Sequence, residues 1–298
     1  MRWTEAPLAI RDAVVAHLGP ITSAHDITVG AGSDLAAIVT TSTGRAFIKG
    51  VCGISPRMRW LRNELSGNAA AGSLAPSVIF GADIDAEDGS PWLVIGTEHV
   101  DGRPVALQPG SPDLDAVGAV LERIASTPAT AEIWPLARRW APTDWWRRCA
   151  EHSPGEVSGW DITAMTRLCE PVPQLVDGKQ LVHTDLHAEQ ILITPSGHIR
   201  VIDWGYPGAG APWVDTALVT LRLIIAGHHR ADAEAWAKTL PTFRDLDPDA
   251  LTRFVVYLGG LWTDLAHTRP LPGSTRWALA ARGWAAWRIE RGTVLAAG

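Results

Sequence analysis

The chain changes character near residue 100, and this change restricts the folds open to it more than any other feature. The first hundred residues mix short runs of β-branched and apolar residues with one or two helices. From about residue 111 onward, apolar residues recur mainly with the spacing of amphipathic helices. A strand-rich part followed by a helical part is typical of an α+β protein. We therefore predict a smaller strand-rich N-terminal lobe at 1–98 and a larger helical C-terminal lobe at 99–298.

The predicted elements follow from periodicity and from turn residues. In the N-terminal part the sequence predicts helices at 7–18 and 56–71 and strands at 26–29, 35–41, 45–51, 78–80 and 92–95. In the C-terminal part it predicts helices at about 112–126, 143–151, 161–169, 213–228, 231–239, 248–266 and 274–291. Short β-branched runs interrupt that region at 181–182, 191–193 and 199–202, and Pro195-Ser196-Gly197 forms a tight turn between the last two.

Charge and cysteine content exclude several classes of protein. The formal net charge is −6, which disfavours a general nucleic-acid binder. The three cysteines form no C-x-x-C pair, so a disulfide framework or a cysteine zinc site is not expected. The first residues lack the apolar run of a signal peptide, and no run of about 18 apolar residues suggests a membrane span. We expect a cytoplasmic protein that binds neither membranes nor nucleic acid.

One lysine is unusual in its position. The chain has only three lysines, Lys49, Lys179 and Lys238, so most of its positive charge is carried by arginine. Lys49 lies inside an apolar predicted strand and is the only lysine in the first 178 residues. Such a side chain can simply extend to solvent, or it can serve a specific anion. The general preference for arginine in this chain favours the second interpretation.

Two acidic residues and an amide lie at the ends of short predicted strands. Asp185 and Gln190 belong to the segment His183-Thr184-Asp185-Leu186-His187-Ala188-Glu189-Gln190, and Asp203 follows the next hairpin. Strands fix the backbone, and polar side chains emerge from their ends. Such an arrangement can hold two carboxylates and an amide around a magnesium-bound polyphosphate.

These segments resemble the aminoglycoside phosphotransferase family, small-molecule kinases with a protein-kinase-like fold. His183, Asp185 and Gln190 occupy the places of the H-x-D-x-x-x-x-N catalytic loop, and Asp203 occupies that of the metal-binding acid. The segment from Gly208 to Asp215 is similar to the family's G-x-P-x-x-D segment. The resemblance covers most of residues 25–220.

Three features of the N-terminal part extend the resemblance. Ala46-Phe47-Ile48-Lys49 is similar to the strand of the phosphate-binding lysine, and Glu64 on the predicted helix fits its ion-pair partner. Gly30-Ala31-Gly32-Ser33-Asp34 is similar to the loop that covers the phosphates, with Gly32 and Ser33 against the nucleotide. Glu98-His99-Val100 is similar to the hinge, where Glu98 and Val100 would receive the base through backbone groups.

The resemblance implies a protein-kinase-like two-lobe fold and a phosphoryl-transfer mechanism. Asp203 and Gln190 would hold Mg²⁺ against the phosphates of ATP or GTP. Lys49 would neutralise phosphate oxygens with Glu64 holding it, and Asp185 would orient the acceptor hydroxyl. The implied activity is transfer of the γ-phosphate to a hydroxyl of a small polar metabolite or antibiotic. An aminoglycoside acceptor would imply antibiotic resistance.

Other residues refine this expectation. His183 and Asp215 are expected to brace the catalytic loop rather than take part in chemistry. Only eleven residues separate Asp203 from Asp215 and no A-P-E motif follows, which favours a small-molecule acceptor over a protein. Five acidic residues between 232 and 249 could face a cationic acceptor, or could simply be solvated; they are Asp232, Glu234, Asp245, Asp247 and Asp249. A stripe of tryptophans on the last helix indicates core packing or a wall of the acceptor pocket; it consists of Trp277, Trp284 and Trp287.

Alternative functions remain open from the sequence. Gln190 stands where the family has asparagine, and its extra methylene moves the amide oxygen by about 1.5 Å. Because magnesium geometry is strict, the chain could be a nucleotide-binding pseudokinase with a regulatory role. Alternatively, His183-x-Asp185-x-His187 in an extended segment would have the spacing of a zinc or di-metal hydrolase. Gly30-x-Gly32 could also begin a dinucleotide-binding turn, but too few residues follow for the helix that this motif requires.

Overall fold

The computed structural model describes residues 1–28 and 32–292. The chain forms two compact units. The first comprises Met1–Val105 together with Ala188–Pro207, and the second comprises Ala106–His187 and the chain from Gly208 onward. The structural units therefore differ from the sequence-based boundary at residue 98, because residues 99–105 and the hairpin after residue 188 lie in the first unit. The functional division into lobes at 1–98 and 99–298 stays a prediction.

The first unit is built on a five-stranded antiparallel sheet. Its strands are β1 (Ser23–Asp26), β2 (Leu35–Thr41), β3 (Gly44–Cys52), β4 (Val78–Asp85) and β5 (Pro91–Glu98). They lie in the order β1-β2-β3-β5-β4. The two longer helices of this unit are α1 (Leu8–Leu18) and α2 (Pro56–Ala71).

The two faces of this sheet carry different helices. Ile48 of β3 packs in one apolar cluster with Ile10 of α1, whereas Val51 of β3 packs in another with Leu61 of α2. Successive residues of a strand point to opposite faces. Lys49, two residues before Val51, therefore projects from the face that α2 covers.

A three-stranded sheet completes the first unit. Its strands are β6 (Arg103–Pro104), β8 (Ile191–Ile193) and β9 (Ile199–Val201), in the order β6-β8-β9. The predicted turn between β8 and β9 is present, and Gly197 adopts a φ of 80° there, which is a conformation that glycine tolerates without strain. Pairing of β6 with β8 explains why the hairpin belongs to the first unit.

Two strands of the first unit differ from their predicted bounds. β1 ends at Asp26, where the sequence predicted a strand over 26–29, and residue 29 lies outside the described residues. β4 continues to Asp85, where the sequence predicted a strand over 78–80 only. β4 is an edge strand, and Asp83 and Asp85 alternate with more buried residues so that both face solvent.

The second unit is mainly helical. Its helices are α3 (Leu114–Ala125), α4 (Leu136–Arg139), α5 (Trp145–His152), α6 (Ile162–Cys169), α7 (Val172–Leu175), α8 (Val214–Ile225), α9 (Arg230–Ala237), α10 (Pro241–Arg244), α11 (Pro248–Thr268) and α12 (Ser274–Glu290). Two short antiparallel strands pair within it, β7 (Gln180–Val182) and β10 (Gly208–Gly210). All seven predicted helices are confirmed, and the four-residue helices α4, α7 and α10 were missed because a single turn has no periodicity.

Helix α8 lies in the core of the second unit. Ten of its twelve residues are buried, including Asp215 and Arg222. A buried charge is costly unless it is paired, so both side chains must find partners inside the protein. In the described residues, 1–28 and 32–292, there is no helix of the length and apolarity that a membrane crossing requires.

Candidate active site

A three-residue ion cluster lies in the first unit. Lys49 Nζ is 2.9 Å from Glu64 Oε1, 2.8 Å from Glu64 Oε2 and 2.8 Å from Asp203 Oδ1. The side chains of Lys49 and Glu64 are 17% and 8% exposed, whereas that of Asp203 is 49% exposed. The structure thus brings together Lys49, its predicted ion-pair partner Glu64 and the predicted metal-binding Asp203.

Local structure explains why Lys49 meets Glu64. Lys49 projects from β3 towards α2, and Glu64 lies on the buried stripe of α2 with Leu61 and Asn68. Ser55 caps the helix by accepting the backbone N–H of Met58, and Pro56 occupies the first turn, where proline fits. These start signals set the register that places Glu64 one turn beyond Leu61.

Asp203 is held in an uncommon backbone conformation directly after the β8–β9 hairpin. Its φ is 67°, in the left-handed region that residues other than glycine rarely adopt. The next residue, Trp204, is fully buried and donates from Nε1 to the carbonyl oxygen of Val201. Gly67 of α2 permits a close approach here, because a Cβ at Gly67 would lie 2.8 Å from the Trp204 carbonyl oxygen.

The electrostatics of the cluster keep Lys49 charged. Burial alone lowers the pKa of Lys49, but the carboxylates of Glu64 and Asp203 outweigh it and raise the pKa above its ordinary value. Lys49 is therefore an ammonium throughout the neutral range. With both carboxylates ionised, the cluster has two negative charges against one positive charge.

The donor set at Asp203 fits a magnesium ion. Magnesium prefers hard oxygen ligands and commonly takes one or two carboxylates together with phosphate oxygens and water. The half-exposed carboxylate of Asp203 in a cluster with excess negative charge meets this requirement.

Gln190, the other predicted ligand, ends the short helix Ala188–Gln190 and is buried. Its backbone carbonyl oxygen accepts the N–H of Ile202. Its role as a second ligand stays a prediction.

The predicted phosphate-covering loop is only partly described. Gly30 and Ala31 lie outside the described residues, whereas Gly32 is exposed and Ser33 is half-buried. The end of the loop is fixed by Asp34, which accepts the backbone N–H of Cys52 and the guanidinium of Arg57. Asp34 therefore links the described end of the loop to Cys52 of β3 and Arg57 of α2.

The predicted hinge lies at the end of β5. The Glu98 carboxylate accepts two hydrogen bonds from Arg200 of β9 and one from the backbone N–H of Ser77, so its side chain supports the structure. Arg200 also donates to the carbonyl oxygen of Ala75. Val100 is half-buried, and within residues 1–28 and 32–292 its backbone N–H donates to no backbone carbonyl. This donor suits the backbone contact predicted for a nucleotide base.

Asp185 belongs to the second unit, where helix α8 braces its loop. The Asp215 carboxylate accepts the backbone N–H groups of His183 at 2.7 Å and Thr184 at 2.8 Å. Arg139 donates to Thr184 Oγ1 at 2.8 Å, and Thr184 adopts a φ of 66°. His183 Nδ1 lies 3.3 Å from the Asp185 backbone nitrogen. These contacts correspond to the bracing predicted for His183 and Asp215.

Burial changes the acidity of Asp215. Complete burial raises its pKa to about 6, although the backbone N–H groups of His183 and Thr184 oppose the rise. The carboxylate that braces the loop is therefore ionised at neutral pH and takes up a proton just below it.

A residue that sequence reasoning missed contacts Asp185. Arg222 of α8 places Nη2 3.3 Å from Asp185 Oδ1. The signal was present, because Arg222 is the one charged residue in the apolar run Ala217–Ala226 and a buried arginine needs a partner. Its position seven residues after Asp215 also places both on one face of the helix.

The structure gives no support to the hydrolase alternative. No group of three His, Cys, Asp or Glu side chains in the described chain could hold a metal ion. His183 is fully buried, and the positive φ of Thr184 breaks the extended run that would align His183, Asp185 and His187.

The acidic stretch that hinted at a cationic acceptor has structural roles at two positions. The Glu234 carboxylate is buried and accepts from Arg288 and from Trp284 Nε1. Asp247 caps α11 by accepting the backbone N–H groups of Asp249 and Ala250.

Comparison with known proteins shows the family. Residues 56–248 match the sequence model of the phosphotransferase enzyme family, and the chain belongs to this family. No curated protein matches the chain in sequence.

Solved structures define the fold. The choline kinase LicA from Streptococcus pneumoniae has a TM-score of 0.62 at 13% identity, over 93% of this chain and 98% of that one. An aminoglycoside phosphotransferase from Alicyclobacillus acidocaldarius has a TM-score of 0.58 at 16% identity, over 96% and 97%. A thermostable variant of the aminoglycoside phosphotransferase APH(4)-Ia with ADP and hygromycin B has a TM-score of 0.58 at 15% identity, over 96% and 99%. The predicted α+β, protein-kinase-like fold is confirmed.

Proposed function

We propose that this protein is a small-molecule kinase that transfers the γ-phosphate of ATP or GTP to a hydroxyl group of a small polar molecule. The observation that carries the proposal is the cluster in which Lys49 is bound by Glu64 and Asp203. A buried ammonium beside a half-exposed carboxylate is what a metal-bound polyphosphate needs. Membership of the phosphotransferase enzyme family supports the same reaction class.

The first unit would bind the nucleotide. Lys49 would attract non-bridging phosphate oxygens, and Glu64 would hold its ammonium in place. Gly32 and Ser33 would approach the phosphates with backbone N–H groups, and the backbone at Glu98 and Val100 would receive the base. Asp203, with Gln190, would hold Mg²⁺, which supplies charge neutralisation to the phosphates when bound.

Asp185 would act on the acceptor. The transition state of phosphoryl transfer is loose, so placement and charge neutralisation matter more than strong proton abstraction. Asp185 would orient the acceptor hydroxyl and accept its proton. Its loop is held by Asp215 and Arg139, which supports a fixed orientation of this carboxylate.

We expect the acceptor to belong to a class broader than one antibiotic. The similar structures include a choline kinase and an enzyme crystallised with hygromycin B, and both act as precedents for small hydroxyl compounds on this fold. A set of polyols, sugars, amino alcohols and aminoglycosides covers this range. Activity on the aminoglycosides would assign the protein to antibiotic resistance.

The test is nucleotide-dependent product formation. Purified protein is incubated with Mg²⁺ and ATP or GTP, with and without each acceptor, and nucleoside diphosphate release and phosphorylated product are measured. We expect one acceptor to stimulate release, and Asp185→Asn to lose roughly 10³-fold in kcat at unchanged nucleotide affinity. Equal release by the parent and by Asp185→Asn contradicts the assigned role.

The same assay separates the pseudokinase alternative. If the protein is a pseudokinase, its binding of nucleotide will still depend on Lys49. It will, however, release no more nucleoside diphosphate than the Asp185→Asn variant. Gln190→Asn supplies the decisive comparison, because it restores the family's residue. Gain of turnover in this variant from an inactive parent would assign the chain to the pseudokinases.

A further inference from the structure

We propose that Arg222 is a positioning residue that holds the Asp185 carboxylate in its working orientation. The inference rests on the proposed function, since it concerns the residue that would receive the acceptor hydroxyl. It adds a role for a side chain of α8 that neither the family motifs nor the sequence pattern assigned.

The contact joins a buried guanidinium to a more exposed carboxylate. Arg222 Nη2 lies 3.3 Å from Asp185 Oδ1, and the arginine side chain is 9% exposed whereas the aspartate side chain is about one-third exposed. A buried guanidinium retains few waters, so its hydrogen bonds are directed by the protein. The buried partner therefore determines where the more exposed carboxylate points.

Two tryptophans fix the guanidinium. Its central carbon lies 4.5 Å from the ring centre of Trp277 on α12 and 5.7 Å from that of Trp262 on α11. The two rings meet edge to face at 5.3 Å. Arginine stacks favourably on aromatic faces, and this contact is stronger when water is excluded. Trp277, which the sequence left open between core packing and a pocket wall, thus supports Arg222.

The same helix also holds the backbone of the Asp185 loop. Asp215 and Arg222 are separated by seven residues of α8, or about 10.5 Å along the axis, and share one face. Asp215 fixes the backbone N–H groups of His183 and Thr184, and Arg222 fixes the side chain of the next residue, Asp185. One core helix therefore sets both the backbone and the carboxylate of the loop.

Such control matters because Thr184 adopts an uncommon backbone conformation. Its φ of 66° has to be imposed by the surrounding contacts. A side chain that follows a strained residue can turn in several directions unless a second contact restrains it. An error of about 1 Å in the position of a reacting group can cost roughly 100-fold in rate.

A double-mutant cycle tests the proposal without knowledge of the acceptor. Hydrolysis of [γ-³²P]ATP with water as acceptor is measured for the parent, Arg222→Met, Asp185→Asn and the double variant. Methionine keeps an unbranched apolar side chain against Trp277. We expect Arg222→Met to lose roughly 100-fold in kcat with its KM for ATP within about twofold of the parent. The double variant should be no slower than Asp185→Asn alone, because both changes act through one carboxylate.

Arg288→Met is the matched control. Arg288 is equally buried in the second unit and pairs with the Glu234 carboxylate instead. Its loss should lower the thermal unfolding temperature while the kcat of the folded protein stays within about threefold of the parent. If Arg222→Met does not fold, Arg222→Lys replaces it in the cycle.

The outcomes are distinct. A kcat for Arg222→Met within about threefold of the parent overturns the inference, as does a double variant whose loss is the product of the two single losses. A parent whose hydrolysis equals that of Asp185→Asn overturns the proposed function instead, and the inference fails with it. The positioning role is supported if Arg222→Met loses kcat and if the double variant loses no more than Asp185→Asn does by itself.

Discussion

Gly67→Ala should damage phosphate binding through a steric contact. The added Cβ would lie 2.7 Å from the Cβ of Trp204 and 2.8 Å from its carbonyl oxygen, whereas ordinary contact begins at 3.4 Å. The overlap of about 0.7 Å cannot be relieved by a flexible side-chain end, because one of the atoms is backbone. Either α2 or the segment at Trp204 has to move.

The expected change in the stability of Gly67→Ala follows from two opposing contributions, helix propensity and overpacking. Alanine favours a helix over glycine by about 1 kcal/mol, and overpacking costs about 1–3 kcal/mol. The net loss of stability should therefore lie between zero and about 2 kcal/mol. Asp203 immediately precedes Trp204 and lies 2.8 Å from Lys49, so a shift of this size disturbs the cluster directly. We expect kcat/KM for ATP to fall roughly 10- to 100-fold.

Gly205→Ala provides the control in the same segment. A Cβ at Gly205 would come no closer than 3.6 Å to its neighbours, which is ordinary contact. This variant should retain kcat/KM within about threefold of the parent in the same ADP-release assay. If Gly67→Ala and Gly205→Ala behave alike, the close packing of α2 on Trp204 does not govern the position of Asp203.

Three further predictions concern charged groups. The pKa of Asp215 is about 6 in the folded protein and about 3.8 in the unfolded chain, so the stability that this group contributes is lost as the pH rises through 6. Relative to Asp215→Asn, the free energy of unfolding of the parent should fall by about 1.4 kcal/mol between pH 5 and pH 7.5, as measured by urea titration. Arg200→Ala removes the clamp on Glu98, so KM for ATP should rise about fivefold at nearly constant kcat. In Glu64→Gln, the pKa of Lys49 should fall because only Asp203 then opposes the effect of burial, so the alkaline decline of kcat/KM for ATP should begin at a lower pH than in the parent.

Each of these predictions has a comparison that can contradict it. A stability difference between the parent and Asp215→Asn that does not change with pH would contradict the raised pKa of Asp215. Arg62→Ala breaks an exposed pair with Asp83 in the same unit and should leave KM unchanged; an equal rise in both variants would show that Arg200 has no special role. Identical alkaline profiles for the parent and Glu64→Gln would mean that Glu64 does not hold the charge on Lys49.

Short-range signals predicted much of the fold and part of the site. Local sequence and family resemblance were enough to locate Lys49 in its apolar strand, Glu64 on the helix after that strand, and Asp203 after the later hairpin. The structure places both Glu64 and Asp203 within hydrogen-bond distance of Lys49. The predicted helices of the second unit also appear, since amphipathic periodicity depends on neighbours within the same helix.

Features that depend on distant contacts could not be predicted in this way. Arg222 contacts a residue 37 positions away, and Arg200 contacts Glu98 across 102 positions. Gly67 gives no sequence signal for the approach of Trp204, because glycine within a helix can have many causes. The extension of β4 through Asp83 depends on its place at the sheet edge, which local charge alone does not reveal.

The most direct measurement asks whether Lys49 contacts the terminal phosphates of a bound nucleotide. An ATP derivative with an acyl group on its γ-phosphate transfers that group to a lysine amine within reach, and the chain has only three lysines. The modified peptides are quantified by mass spectrometry with and without excess Mg²⁺-ATP. The account predicts acylation at Lys49 that ATP suppresses, with Lys179 and Lys238 labelled weakly and unaffected by ATP. Equal labelling of all three lysines, or labelling of Lys49 that ATP does not reduce, would contradict the placement of the triphosphate at this cluster.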